Sequence, residues 1–343
     1  MAPRSEDQSA AAAALRRAIA SGVPPDGVAF FARWWQFETW LRQLAHLELR
    51  AAFGIGWDAH LESRSQTRAE QDRDNAYMRS PDSDDLLAYL DTSALFRLIG
   101  DARLWPYFSR SLLPRVRWDG LVDQLTALRN RNAHVRRPHP DDLARIEQAL
   151  RDIEPGAGVA LSAFAQQTRW WESKGDPVAR AWVDAEHDDA RRLIEHARRS
   201  YATDFALHSS RRPWAPEPSA AISGVAGYFW HAQWVFREGG FVPMRTFWDD
   251  DHLYEQTRRL IVEVVQPDAG MVSIAFAAVD DATAVADAIG NCFDCLLWAR
   301  GRGRGAYEPD RWPEGADDLD PRIQVGTALA LWGDAAKPGI FGV

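Results

Sequence analysis

The sequence from Leu128 to Pro138 reads Leu-Arg-Asn-Arg-Asn-Ala-His-Val-Arg-Arg-Pro and combines three kinds of side chain suited to work on a phosphodiester. Arg129 carries a planar guanidinium that stays protonated in water and matches the shape of a phosphate group. His134 can exchange a proton near neutral pH, and Asn130 can hydrogen-bond without adding charge. One site with these three side chains can hold a phosphate, move a proton and stabilise a developing oxyanion.

An amphipathic helical pattern precedes this stretch and predicts the local fold. Apolar residues spaced by three and four positions form one helix face up to about Arg131, namely Trp118, Leu121, Val122, Leu125 and Leu128. A similar pattern predicts a helix over residues 28–52, and Asp142 opens a further helix that Pro155 and Gly156 are expected to end. With short helices between them, these segments are typical of an antiparallel, up-and-down helical bundle.

The spacing Arg129-Asn130-x-x-x-His134 resembles the signature of the HEPN superfamily, in which an arginine is followed after four to six residues by a histidine. Members with this signature are commonly metal-independent endoribonucleases of toxin–antitoxin, abortive-infection and antiphage defence systems. The family fold is a small up-and-down helical bundle, and it usually dimerises so that two copies of the motif face each other. The resemblance covers residues 28–154 and implies nothing about the rest of the chain.

The resemblance implies a role for each polar residue of the stretch. His134 is expected to act as general base or acid on RNA, Arg129 to hold the phosphate, and Asn130 to orient the histidine or the phosphate. Because RNA supplies its own 2′-hydroxyl nucleophile, neither a metal nor another cofactor is expected, and the product would end in a 2′,3′-cyclic phosphate. The other basic residues of the stretch are expected to bind substrate: Arg131, Arg136 and Arg137.

The composition fits a globular protein of 343 residues, with 46% hydrophobic and 26% charged residues. A net charge of −9 argues against a generic polyanion-binding protein, which is usually basic overall, but it allows a local basic cleft. The 16 tryptophans predict extensive aromatic packing. The sequence contains no apolar stretch of membrane-spanning length and no recognisable signal peptide, so a cytoplasmic protein without membrane contacts is expected.

Two other groups of residues suggest metal or redox chemistry, and each has a simpler interpretation. Cys292 and Cys295 form C-x-x-C inside an apolar helical run, without the second ligand pair of a zinc ribbon. They are expected to be small buried side chains. The acidic run Asp249–Asp251 beside His252 suits either a divalent cation or a helix cap.

Three regions are expected along the chain. Residues 1–27 form a flexible arm that contains a short alanine-rich helix, and residues 28–154 form the HEPN-like bundle. Residues 155–343 form an α+β domain with an antiparallel sheet, because the pattern there turns from helical spacing toward strands. A sensing or regulatory role is assigned to this last domain.

Within the C-terminal region the sequence predicts both strands and helices. Tyr228–Phe236 has the aromatic content of a strand, and Leu260–Val265 with Met271–Val279 predicts a hairpin. The remaining segments are expected to be helices over Leu161–Trp171 and Pro177–Ser200, a proline-rich linker over Ser209–Ser219, a flexible basic loop over Arg300–Gly305 and a closing strand over Arg322–Leu331.

Two functions fit these observations. The first is a homodimeric HEPN-type endoribonuclease that cleaves RNA in growth arrest or phage defence, controlled by an antitoxin or a phage-derived trigger. The second is a catalytically inactive HEPN module that dimerises or binds, with a C-terminal domain that senses a ligand or partner. Arg129 and His134 from both chains within reach of one phosphate would favour the enzyme, whereas the same residues held in salt bridges within one chain would favour the binding module.

Overall fold

Helices make up the N-terminal half of the chain. The computed structural model describes residues 4–75, 85–134, 136–217, 220–237, 241–302, 319–326 and 341. The first helices are α1 (Arg4–Ala20), α2 (Pro25–Phe53), a 3-10 helix (Gly54–His60), α3 (Ser63–Arg73), α4 (Thr92–Gly100), α5 (Trp105–Phe108), α6 (Arg115–Ala133) and α7 (Asp142–Ala165). The helices predicted over residues 28–52 and 118–131 are confirmed as parts of α2 and α6.

α2 runs through the centre of the helical layer. It begins at Pro25, where the missing N–H of proline leaves no intrahelical hydrogen bond unmade. It ends at Gly54, whose φ of 56° favours glycine. Between these ends it buries an aromatic and aliphatic face that includes Phe37, Trp40 and Leu44, all fully shielded from solvent. This face packs on α7, so the two long helices form the core of the layer.

The helix that begins at Asp142 continues well past its predicted end. The stop predicted at Pro155-Gly156 is wrong, because α7 runs through both residues to Ala165. Proline within a helix removes one hydrogen-bond donor, but tertiary packing can outweigh that loss. Gly156 is needed for a different reason: a Cβ atom there would lie 2.4 Å from the carbonyl oxygen of Ser111. Glycine therefore permits a close approach between two backbones here and does not mark a turn.

Among the described residues, the C-terminal half builds a six-stranded sheet with helices around it. Its elements are β1 (Thr168–Arg169), α8 (Pro177–Trp182), α9 (Ala190–Tyr201), β2 (Thr203–Arg211), β3 (Tyr228–Phe236), α10 (Met244–Trp248), α11 (Glu255–Leu260), β4 (Ile261–Asp268), β5 (Met271–Ala277), α12 (Ala282–Arg302) and β6 (Ile323–Val325). The strand order is β1-β2-β3-β5-β4-β6. The predicted aromatic strand and hairpin are confirmed, but the sheet is mixed, because β6 pairs with β4 in parallel.

Two segments predicted as a helix and a linker belong partly to the sheet. The helix expected over Leu161–Trp171 ends at Ala165, and β1 then pairs with β2. The linker expected over Ser209–Ser219 begins inside β2, where Ser209 and Ser210 pair with β3. Both errors have the same cause: the pairing strand is distant in sequence, so local composition does not reveal the ladder.

The two predictions nearest the C-terminus fall partly outside the described residues. Of the basic loop expected over residues 300–305, Arg300–Arg302 belong instead to the last turn of α12, and 303–305 are not described. The closing strand expected over 322–331 is present as β6, whereas 327–331 are not described.

Both faces of the sheet are covered. Successive side chains of a strand point to opposite faces: Phe229 joins the core formed with the N-terminal helices, whereas Trp230 and Trp234 join the core formed with α8, α9 and α12. Phe164 of α7 meets the ring of Phe229 edge-on at 5.5 Å between centroids. The domain boundary expected at residue 155 therefore falls inside a helix whose C-terminal half packs on the sheet.

A buried ion pair connects the helical layer to the sheet. Arg212, which follows β2, donates to both carboxylate oxygens of Glu48 on α2, at 3.1 Å from Nε and 2.5 Å from Nη2, and both side chains are fully buried. Trp214 donates its indole N–H to the same carboxylate at 2.6 Å. Arg212 also donates to the carbonyl oxygen of Ala160 on α7 at 3.0 Å. These bonds hold α2, α7 and β2 in one arrangement.

The cysteine pair lies inside α12. Cys292 and Cys295 are both buried and free, as predicted. Burial raises the pKa of the Cys295 thiol to about 12, so this side chain is a packed thiol and not a nucleophile at neutral pH.

Across the described ranges, none of the helices combines the length and the apolar character needed to traverse a bilayer.

Candidate functional site

The three residues predicted to be catalytic lie at the C-terminal end of α6. Arg129 and Asn130 belong to its last turns, and His134 caps it, with its backbone N–H donating to the carbonyl oxygen of Asn130 at 3.3 Å. Successive residues turn by roughly 100° around a helix, so these three positions lie on one half of its surface. Arg129 Nη1 donates to the side-chain oxygen of Asn130 at 3.5 Å. The structure therefore brings the three residues to one surface.

Arg131, which is predicted to bind substrate, forms an ion pair within the chain. Its Nη1 donates to both carboxylate oxygens of Asp142, at 2.9 and 3.1 Å, and Asp142 is only 2% exposed. Asp142 also accepts the backbone N–H of His139 at 2.9 Å. The guanidinium of Arg131 therefore helps to hold the connection between α6 and α7, and its role in substrate binding stays a prediction.

That connection places two further arginines and one apolar side chain next to the motif. Arg136 and Arg137 are exposed. Gly27, at the start of α2, lies against the connection, since a Cβ atom there would be 3.3 Å from the ring of Pro138. One turn further along α2, Phe31 is 65% exposed. Exposed positive charge and an exposed aromatic ring therefore both lie close to the motif.

Arg129 and His134 remain available to a ligand. Within the part of the chain that the structure describes, neither forms a salt bridge, whereas Arg131 between them does. His134 is exposed and Arg129 is half-buried. Among the described residues, the arrangement expected of the binding module, with both residues held in salt bridges within one chain, is therefore not found.

A second histidine cluster, which the sequence did not suggest, lies between β2 and β3. Ser210 Oγ is 2.7 Å from Nε2 of the buried His231, and Gln167 Nε2 donates to His231 Nδ1 at 3.2 Å. Because Nδ1 accepts a hydrogen bond, the ring proton lies on Nε2 and is donated to Ser210. His231 in this tautomer cannot take the serine proton. The pair therefore stabilises the sheet and does not form an activated nucleophile.

His231 is expected to make the fold sensitive to acid. Burial, with a smaller effect of His208, lowers its pKa from 6.5 to about 3. The unfolded chain then binds a proton that the folded chain does not, so the free energy of unfolding falls as the pH drops from 6.5 towards 3. Urea unfolding at pH 7 and pH 5 should show a smaller loss for His231→Gln than for wild type. The exposed His139→Gln is the matched control, and equal losses in all three proteins would contradict the prediction.

A large cleft opens between the C-terminal half of α7 and the edge of the sheet at β1 and β2. Its volume is about 1140 Å³, and Arg169, Trp171 and Lys174 line it. Trp171 is 75% exposed, and the Arg169 guanidinium lies over its ring at 3.8 Å. Such a combination of charge and aromatic surface suits single-stranded nucleic acid. The cleft begins at Pro155, roughly 20 Å along α7 from Asp142, so it is separate from the motif surface.

The acidic run before α11 forms a local turn. Asp250 Oδ1 accepts the backbone N–H of His252 at 2.9 Å and also lies 2.9 Å from its Nδ1. Among the described residues, no group of three or more histidine, cysteine or acidic side chains is arranged to hold a metal ion.

No model of a protein family, no curated protein and no solved structure matches this chain. Function is therefore inferred from side-chain chemistry and geometry.

Proposed function

We propose that this protein is a metal-independent endoribonuclease of the HEPN type, with Arg129, Asn130 and His134 in its active site. The observation that carries the proposal is the contrast within the motif: Asp142 holds Arg131, while Arg129 and His134 stay unpaired among the described residues. An arginine and a histidine left available on one surface suit phosphate binding and proton transfer. RNA in the cytoplasm would be the substrate, in growth arrest or phage defence.

The proposed reaction uses the RNA 2′-hydroxyl as its nucleophile. The 2′-oxygen forms a bond to phosphorus as the bond from phosphorus to the 5′-oxygen breaks, which leaves a 2′,3′-cyclic phosphate and a 5′-hydroxyl. His134 takes the proton from the nucleophile or supplies one to the leaving oxygen. Arg129 offsets the charge that grows on the phosphate. Asn130 accepts a hydrogen bond from Arg129 and so orients its guanidinium.

The proposed enzyme is a homodimer. Phe31 is 65% exposed beside the motif connection, and aromatic side chains are enriched at protein interfaces. Pairing two copies across this surface would bring two motifs to one cleft, so that one histidine serves the nucleophile and the other the leaving group. Arg136 and Arg137 would then contact flanking phosphates. An antitoxin or a phage-derived trigger is proposed as the controlling partner.

The test is cleavage of mixed cellular RNA by the purified protein in excess EDTA. Wild type is expected to cut and to leave 2′,3′-cyclic phosphate ends. His134→Ala is expected to lower the rate by about 10²–10⁴-fold, the range for loss of an acid–base group. Arg129→Ala is expected to lower it by about 10²–10³-fold, the range for loss of a donor that stabilises the developing charge. Arg151→Ala and His139→Ala are matched controls, because both side chains are exposed and neither belongs to the proposed site.

The variant Phe31→Glu tests the dimer in the same assay, with sedimentation as its second readout. It is expected to be monomeric and to cut poorly while remaining folded. Cleavage that persists in His134→Ala would exclude the mechanism, and cleavage that stops in EDTA would exclude metal independence. If none of the proteins cuts RNA while wild type remains a folded dimer, the second function, a HEPN binding module, is the better description.

A further inference from the structure

A second pocket, of about 440 Å³, lies where α2 meets the edge of the sheet at β4 and β6. Trp35, Gln43 and His46 line it from one face of α2, and Glu263 and Gln324 line it from the two strands. Its volume is within the range of about 300–1,000 Å³ that is typical of small-molecule sites.

The polar side chains of this pocket have hydrogen-bonding capacity that the protein does not use. Glu263 is 5% exposed, and one of its carboxyl oxygens accepts from the side-chain N–H of Gln324. The other oxygen of Glu263 has no partner among the described residues, and the same holds for the side-chain oxygens of Gln43 and Gln324. Buried polar atoms without partners destabilise a fold, and the exceptions in native proteins call for a functional explanation.

Charged side chains, among them Arg50 and Asp58, line part of the pocket, but Glu263 and His46 within it are neutral at physiological pH. Burial raises the pKa of Glu263 to about 8, so its carboxyl group is protonated. Because Gln324 donates to one oxygen, the proton lies on the other, which becomes a donor. Burial also lowers the pKa of His46 to about 3, and its Nε2 donates to the carbonyl oxygen of Val262 at 3.2 Å. The pocket therefore offers one carboxyl donor and two amide acceptors.

The walls of the pocket are aromatic, and its rim carries a positive charge. Trp35, which is 61% exposed, and Trp57 provide aromatic surface, and Trp57 meets the ring of His46 edge-on at 5.3 Å. Arg259 is exposed at the rim, and its guanidinium has no acidic partner within the described ranges. One ligand could thus meet a flat apolar wall, a mixed donor and acceptor group, and a positive charge.

We propose that this pocket binds a nucleotide, with its base at Gln43, Glu263 and Gln324 and its phosphate at Arg259. A nucleobase has a flat face that stacks on tryptophan and an edge that carries both donors and acceptors. A phosphate matches a guanidinium in shape and charge. A free nucleotide and a single nucleotide of an RNA chain share this chemistry. Gln43 lies roughly 24 Å along α2 from Gly27, which contacts the motif connection, so the base site is separate from Arg129 and His134. Its occupancy does not depend on RNA cleavage.

The test is isothermal titration calorimetry of the full-length protein. The probes are AMP, GMP, CMP and UMP, the corresponding nucleosides, inorganic phosphate and an RNA tetranucleotide with non-cleavable linkages. At least one nucleotide is expected to bind. Gln43→Leu should weaken its binding by about 10–100-fold, because the substitution removes an acceptor that the base would use. Arg259→Ala should weaken it about tenfold and leave nucleoside binding unchanged. Arg191→Ala, which removes an exposed arginine from α9, is the matched control.

Binding should also weaken above pH 8, where Glu263 loses its proton, and Glu263→Gln should bind equally well on both sides of that pH. Affinity for mononucleotides would identify free nucleotides as the source, and affinity for the tetranucleotide alone would identify RNA. The inference is overturned if none of the nucleotides binds or if inorganic phosphate binds as tightly as they do. It is also overturned if Gln43→Leu and Arg259→Ala, each with a wild-type melting temperature, bind as wild type does.

Discussion

Replacing Arg212 by methionine is expected to lower the free energy of unfolding by about 3–5 kcal/mol, because Glu48 is left as a buried charge without its partner. The loss is large because neither side chain of the pair reaches solvent. Methionine fills much of the volume of arginine, so the cost reflects the charge more than a cavity. Trp214 still donates to Glu48 and offsets only part of the loss.

Urea denaturation of full-length protein measures this effect. Arg199→Met is the matched control, because Arg199 pairs with Glu195 on the surface, with side chains 74% and 52% exposed. Its expected change is within about 0.5 kcal/mol. Combining Arg212→Met with Glu48→Leu should restore part of the lost stability, since no buried charge remains. Equal destabilisation by Arg212→Met and Arg199→Met would refute a structural role for the buried pair.

The second large effect is expected at Gly156. An alanine Cβ there would lie 2.4 Å from the carbonyl oxygen of Ser111, which belongs to the backbone and cannot rotate away. Gly156→Ala should therefore destabilise the protein by about 1–3 kcal/mol through overpacking, although alanine is the better helix former.

The same helix provides the control. A Cβ atom at Gly158 would meet nothing within 4 Å, so Gly158→Ala should stabilise the protein by about 0.5–1 kcal/mol through helix propensity alone. The two variants make the same chemical change two residues apart and should shift the urea midpoint in opposite directions. A stabilising Gly156→Ala would mean that α7 does not approach the backbone of Ser111 this closely.

The parts of the fold that the sequence predicted well are those with local causes. The apolar spacing in α2 and α6 and the turn between β4 and β5 depend on neighbouring residues, and all three are confirmed. The end predicted for α7 is wrong for a tertiary reason, because Gly156 allows the helix to pack closely against the backbone of Ser111. A proline followed by a glycine has the same composition whether it ends a helix or packs within one.

In the candidate site, too, the local features were predictable and the tertiary contacts were not. The residue types and spacing of Arg129 and His134 could be read directly from the sequence, as could the presence of Arg131. That Arg131 is engaged while Arg129 is not depends on the position of Asp142 in space. The nucleotide pocket was not predictable, because Gln43 and Glu263 belong to unrelated segments that meet only when α2 packs on β4.

The continuity of α7 also decides how the molecule can be divided. A fragment that stops at residue 154 would lose Ala157, Leu161 and Phe164 from the helical core, and Glu48 would lose Arg212. The helical layer is therefore not a module that can be excised from this chain or grafted onto another. We therefore expect the helical layer and the sheet to unfold in one transition, because each buries side chains of the other.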